Sequence, residues 1–136
     1  MPIRSLISIT FSIICMLSSC SKGDSKFESL SEEYILIIPQ TGCPVCIDIG
    51  LEFAQKQIDT NCLAIVFTKI SNLRNLKIKF GYDNINFPNV YLDTLGTFDN
   101  YIEEFPKFFY GNEIIELDNA KLKKYDELEI MLSDCK

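Results

Sequence analysis

The stretch Tyr34-Ile35-Leu36-Ile37-Ile38-Pro39-Gln40-Thr41-Gly42-Cys43-Pro44-Val45-Cys46 decides the fold. Its first six residues form a near-continuous apolar run with isoleucine at three positions, the pattern of a strand buried on both faces of a parallel sheet. A tight loop follows, and two cysteines then stand three positions apart where an amphipathic segment opens. From there Ile47, Leu51, Ala54 and Ile58 recur at helical spacing, with Glu52 and Lys56 one turn apart on the outer side, so the spacing predicts a helix from Pro44 to Asp59. Strand, loop, Cys-x-x-Cys, helix is the layout of a thiol redox site.

Working outward, Cys62 to Thr68 reads as a second buried strand, and Ser71 is placed to cap a helix whose Leu73, Leu76 and Phe80 share a face. Strand, helix, strand, helix implies a parallel βαβ unit. The second half has shorter strands between turn residues: Asn89 to Asp93, Lys107 to Tyr110 and Glu113 to Leu117, the last two joined as a hairpin across Gly111-Asn112. A final helix begins near Asn119, with Leu122, Tyr125, Leu128 and Leu132 on one face. The fold class is therefore α/β, a single domain with a central mixed β-sheet flanked by helices. A chain of 136 residues that is 47% apolar, with ten phenylalanines and six tyrosines, is enough for one core of this kind.

Composition removes several classes of chemistry. The chain has no histidine, so Ser-His and Cys-His catalytic pairs and imidazole metal ligands are excluded. It has no Gly-x-Gly-x-x-Gly or Walker-type loop, and no cofactor is expected. Net charge is −6, and the short basic stretch containing Lys69, Arg74, Lys77 and Lys79 is interleaved with core residues and reads as a solvated face. Nucleic acid is not an expected partner. No metal site is expected either, because the proposed fold sets Cys43 and Cys46 apart in space from Cys62 and Cys135.

The N-terminus reads as a targeting segment: Arg4 is followed by an apolar run from Leu6 to Leu17 that is too short to span a bilayer comfortably. The next residues, Leu17-Ser18-Ser19-Cys20, resemble the lipobox of bacterial lipoproteins, in which the cysteine is lipidated and becomes the mature N-terminus. The resemblance implies a signal peptide over 1–19, a lipid anchor on Cys20, a polar tether over 20–32 and a folded domain over 33–136. It also implies a cell-envelope location, membrane-anchored and facing the periplasm or exterior, where disulfides persist. Cys43, Cys46, Cys62 and Cys135 then remain in the domain.

The order of elements, Cys43-Pro44-Val45-Cys46 at the first helix and Phe105-Pro106 ahead of a closing hairpin and helix resemble the thioredoxin fold. The extra strand Asn89 to Asp93 before Gly96 is most similar to the redoxin branch, the membrane-tethered thiol-disulfide oxidoreductases of bacterial envelopes. The resemblance implies that Phe105-Pro106 is a cis peptide beside the dithiol, with Pro44, Val45, Phe105 and Pro106 forming a substrate groove. Cys43, at the helix N-terminus, is the expected nucleophile, and Cys46, one turn further in, the expected resolving thiol. Several features depart from the family: Thr41-Gly42 stand where a tryptophan commonly precedes the dithiol, Pro44-Val45 stand in place of the Gly-Pro of reducing thioredoxins and leave the direction of electron flow open, the expected domain begins almost at the active-site strand, and no carboxylate lies in that strand to serve as a buried proton acceptor. In this topology Cys62 and Cys135 fall at the pole opposite the dithiol, as a structural disulfide or as two buried free thiols.

The function this implies is disulfide exchange with cysteine-containing exported proteins or a redox partner, at a membrane reached through Cys20. The alternative is a non-catalytic thioredoxin-like lipoprotein in which Cys43–Cys46 is a permanent staple and the groove is a binding module.

Overall fold

The computed structural model describes residues 30–135. The expected signal peptide over 1–19, Cys20 and most of the expected tether lie outside the described residues. Of the residues expected to form the tether, Leu30 packs on the sheet and Glu32 accepts a hydrogen bond from the Tyr91 hydroxyl at 2.7 Å.

The central strand is β1, Tyr34–Pro39, and all six of its residues are buried. The helix α1, Pro44–Lys56, follows it and leads to β2, Leu63–Thr68, which runs parallel to β1 with Tyr34 opposite Leu63 and Pro39 opposite Thr68. Next come α2, Leu73–Phe80, and β3, Val90–Leu92, which joins β2 in parallel. The hairpin of β4, Lys107–Tyr110, and β5, Glu113–Glu116, then pairs antiparallel to the other side of β1. The sheet order is β3-β2-β1-β4-β5, and α3, Leu122–Ser133, closes the domain. The architecture is thus an α/β domain built on a five-stranded mixed sheet.

Alternation along the strands divides the core between the two faces. Tyr34, Leu36, Ile38, Leu63, Ile65, Phe67 and Phe108 meet the apolar sides of all three helices on one face. Ile35, Ile37, Ala64, Val66 and Phe109 on the other are covered by Phe98 and Ile102, from the segment linking β3 to β4. That segment is fixed at its start by Asp93, whose carboxylate accepts from the backbone N–H groups of Thr97 at 2.8 Å and Phe98 at 2.7 Å. The fully buried Thr68 hydroxyl lies between the carboxylates of Asp93 and Asp99.

Beyond one-residue shifts at the ends of β2, β3 and β5, local structure differs from the sequence expectations in four places. The first helix stops at Lys56 and not at Asp59, because the side-chain amide of Asn89 donates to the carbonyls of Ile58, Thr60 and Leu63 and holds them in a turn. The cap of α2 is Asn72, which accepts from Asn75 N at 3.0 Å, and not the neighbouring Ser71; both residue types serve at this position. Leu73 and Leu122 are 37% and 49% exposed, since each is the first residue of its helix and precedes the first full turn against the core. Asn119 opens a 3-10 turn over Asn119–Lys121 that precedes α3.

Cys62 and Cys135 form a disulfide with a Cα separation of 5.9 Å, which decides between the bridged and free-thiol alternatives. The bond ties the end of α3 to the start of β2 across 73 positions of sequence, so its removal frees a long loop in the unfolded chain. Cys62→Ala with Cys135→Ala is expected to lower unfolding free energy by about 4 kcal/mol in the loop-entropy account, read from denaturant titration. A loss under about 1 kcal/mol would refute that role for the bridge.

Tyr91 has its phenol pushed up to about 12, first by the hydrogen bond to Glu32 and then by burial. Burial raises Tyr34 and Tyr125 in the same direction. A raised value means the folded state holds the proton more tightly, so this stabilisation is complete below pH ~10 and is lost as pH rises through about 12. Tyr91→Phe should lower stability by about 1 kcal/mol at neutral pH and flatten the alkaline decline. An alkaline unfolding curve of unchanged slope would contradict the assignment.

Candidate functional site

The site begins where β1 ends. Gln40 N donates to Thr68 O at 2.9 Å, extending the parallel pairing by one residue, and the chain then breaks away through the exposed Thr41-Gly42. Gly42 has φ +131°, a conformation that side chains strongly disfavour, and a Cβ built there would lie 2.7 Å from Glu104 Cα. Glycine therefore lets the loop touch the segment ahead of β4. Cys43 N donates to Glu104 O at 3.1 Å across that contact. The same segment is held from the far side by Lys69, whose ammonium donates to Glu103 O at 3.0 Å.

Cys43 is the N-cap of α1, with extended backbone angles and its Sγ accepting from Cys46 N at 3.3 Å. Pro44 occupies the first helical turn, where a missing N–H costs nothing. Cys43 and Cys46 form a disulfide with Cα atoms 5.3 Å apart. Cys43 is half-buried, whereas Cys46 is 2% exposed. No acidic residue stands in the first turn of α1, so free N–H groups and the helix dipole act on the Cys43 sulfur without an opposing carboxylate. The two carboxylates further along face outward: Asp48 pairs with Lys79 at 2.9 Å and Glu52 with Lys56 at 3.3 Å.

The remaining residues of the expected groove divide. Pro44 and Val45 are exposed beside the disulfide, Val45 at 57%, and Phe105 is half-buried. Pro106 is buried: its ring packs against Gly50, where an added Cβ would lie 3.1 Å from Pro106 Cγ, and its carbonyl accepts from Leu117 N at 2.8 Å. No described peptide bond is cis, so the cis expectation for Phe105–Pro106 is corrected to trans. Trans is the lower-energy isomer by about 0.5–1 kcal/mol, and Pro106 finds both its ring contact and its carbonyl partner in that form. The residue whose backbone meets the dithiol loop is Glu104.

Reading the sequence missed three participants. Glu104 and Lys69 act through backbone position and a long reach, which no motif marks. Asn119 Oδ1 lies 3.2 Å from Cys46 Sγ although 73 positions separate them. Its only signal was its place at the head of the last helix.

No family model, curated protein or solved structure matches the chain. The chemistry therefore rests on the site itself. The four described cysteines make two separate disulfides, which leaves no four-thiolate set, and among the described residues no three acidic, cysteine or histidine side chains gather as metal ligands would. A depression of about 490 Å³ lies beside β1 and the hairpin, lined by residues including Ile35, Phe109 and Ile114, and does not contain the dithiol. Cys43–Cys46 instead sits at a surface with an accessible sulfur backed by a buried one. Among the described residues no helix is long and apolar enough to cross a membrane.

Gly42→Ala is expected to lower stability by about 1–3 kcal/mol and to loosen the Glu104 contact, because both the positive φ and the space oppose a side chain. Chemical denaturation together with amide exchange at Cys43 measures both effects. Wild-type stability and protection in the variant would contradict the contact.

Proposed function

We propose that this chain is a thioredoxin-like thiol-disulfide oxidoreductase, held at a bacterial envelope membrane by a lipidated Cys20, that exchanges disulfides with cysteine-containing exported proteins or a redox partner protein. The observation that carries the reading is a half-exposed Cys43 at the N-cap of α1, bonded to a buried Cys46 one turn on. The order β2-β1-β4-β5, with α1 leaving the central strand and β3 added at the edge, supports the thioredoxin-like assignment. Leu17-Ser18-Ser19-Cys20 supports the anchor.

In the reduced form the Cys43 thiolate attacks one sulfur of a substrate disulfide. A Cys43–substrate bond forms, the substrate bond breaks, and its other sulfur leaves as a thiolate that takes up a proton. Cys46 loses its proton and attacks Cys43 Sγ, which closes Cys43–Cys46 and releases the second substrate sulfur. Two electrons pass from the dithiol to the substrate; run backwards, the same steps oxidise a substrate dithiol. The N-cap bond from Cys46 N and the helix dipole favour the thiolate at Cys43, as nucleophile and as leaving group. Pro44 and Val45 project beside the sulfur and would contact whatever approaches it.

Equilibrating the purified chain with glutathione buffers and trapping its thiols tests the reading. A Cys43–Cys46 potential between about −100 and −270 mV is expected, with Cys46→Ser accumulating mixed disulfides on Cys43 in cells. Resistance to reduction below about −300 mV, with no trapped partner, would replace this reading with the staple and binding-module alternative.

A further inference from the structure

We propose that Asn119 is a positioning residue for the redox step: its side-chain amide is the polar partner of Cys46 and sets both the acidity of that thiol and the potential of the pair. The proposal rests on the oxidoreductase reading above. Its starting point is the contact between Cys46 Sγ and Asn119 Oδ1 at 3.2 Å. In the disulfide the sulfur carries no proton, so two lone-pair-bearing atoms face each other and the contact contributes no hydrogen bond. Reduction changes this. The Cys46 thiol gains an S–H that can donate to Oδ1, and after deprotonation the same amide, turned about its terminal torsion, presents an N–H to the thiolate. The amide therefore stabilises the reduced pair in either protonation state, the thiolate more strongly because its hydrogen bond is charge-assisted, and does nothing comparable for the oxidised one.

The surroundings leave that task to Asn119. Cys46 is buried, and burial alone opposes formation of a thiolate. The ionisable groups on the elements packed around it are otherwise engaged or turned outward. On α1, Asp48 is paired with Lys79, and in the segment ahead of β4, Glu103 and Glu104 are exposed. Beyond β5, Asp118 is paired with Lys121 at 3.4 Å, and across the β4–β5 ladder Lys107 meets Glu116 at 3.5 Å. The Tyr125 hydroxyl lies near Gly50, has no hydrogen-bond partner among the described residues, and keeps its proton because burial pushes it up. None of these groups hydrogen-bonds to Cys46. Asn119 itself is exposed on its outer side and held in place by the turn that Asp118 caps through Ala120 N at 3.0 Å. A neutral amide there takes the place of the buried carboxylate that the first strand lacks.

In the resolving step the Cys46 proton is lost to water and the thiolate attacks Cys43 Sγ. The Cys43–Cys46 bond forms while the Cys43–substrate bond breaks, and the substrate sulfur departs with the electron pair. The amide acts only on the first part of this sequence, by making the Cys46 thiolate available.

The test uses the full chain and two variants, Asn119→Ala and Asn119→Asp. Potentials come from glutathione equilibration. Resolution rates come from the mixed disulfide of Cys43 with thionitrobenzoate, followed from pH 5 to 10 by release of the coloured thiolate. Asn119→Ala is expected to favour the disulfide about tenfold, a shift of about 30 mV to more negative potential for a two-electron couple. It should also move the rising limb of the rate profile about one pH unit higher. Asn119→Asp, which keeps an acceptor but sets a charge beside the thiolate, should move that limb at least as far. Because Asn119 is exposed, both variants should unfold like the wild type, so a stability change does not imitate the result. If the wild-type pair exchanges while both variants keep its potential and its pH profile, this proposal is overturned and the oxidoreductase reading stands. If the wild-type disulfide never opens, both fall.

Discussion

Burial of β1 on both faces is the constraint from which the rest of the structure follows. A strand with apolar side chains above and below must be covered twice, and its backbone groups must be paired on both edges because no water reaches them. Here β2 satisfies one edge in parallel and β4 the other in antiparallel sense. The parallel edge requires a crossover, which is α1, and the antiparallel edge is met by a hairpin whose own outer strand is β5. Two kinds of cover result: three helices on one face, and the Asp93-anchored segment with Phe98 and Ile102 on the other.

The same constraint places the dithiol. A buried parallel strand delivers the following loop to the end of the sheet, and the crossover helix must start there. Gly42 turns the chain against Glu104, Cys43 caps the helix, and Cys46 falls one turn inside, beneath the surface. The accessible and inaccessible sulfurs thus arise from helix geometry, not from separate devices. The backing is supplied by Pro106 against Gly50 and by Phe53 packed on Tyr125, with ring centroids 5.1 Å apart.

The last helix connects the two disulfides. The 3-10 turn ahead of it carries Asn119, against Cys46, and Cys135, two residues past its end, is bonded to Cys62 at the opposite end of the sheet. Tyr125, Leu128 and Leu132 bury the side between them.

Much of the molecule was legible in local pattern. The apolar run of β1, the helical spacing after Cys46, the hairpin about Gly111-Asn112 and the closing helix are all short-range signals, governed by side-chain periodicity and turn chemistry. The pairing of Cys62 with Cys135 was narrowed to two alternatives by topology, and only the fold brought their Cα atoms to 5.9 Å. The end of α1, the trans Phe105–Pro106 bond, the exposure of Leu73 and Leu122, and the roles of Glu104, Lys69 and Asn119 were not legible. Each depends on a partner far away in sequence: Asn89 reaching three carbonyls, Pro106 resting on Gly50, Asn119 meeting Cys46 across 73 positions. By itself the sequence determined the elements and the presence of a helix-start dithiol, because those follow from spacing along the chain. The tertiary structure decided which groups surround that dithiol, because hydrogen bonds and packing act over a few ångströms and take no account of sequence separation.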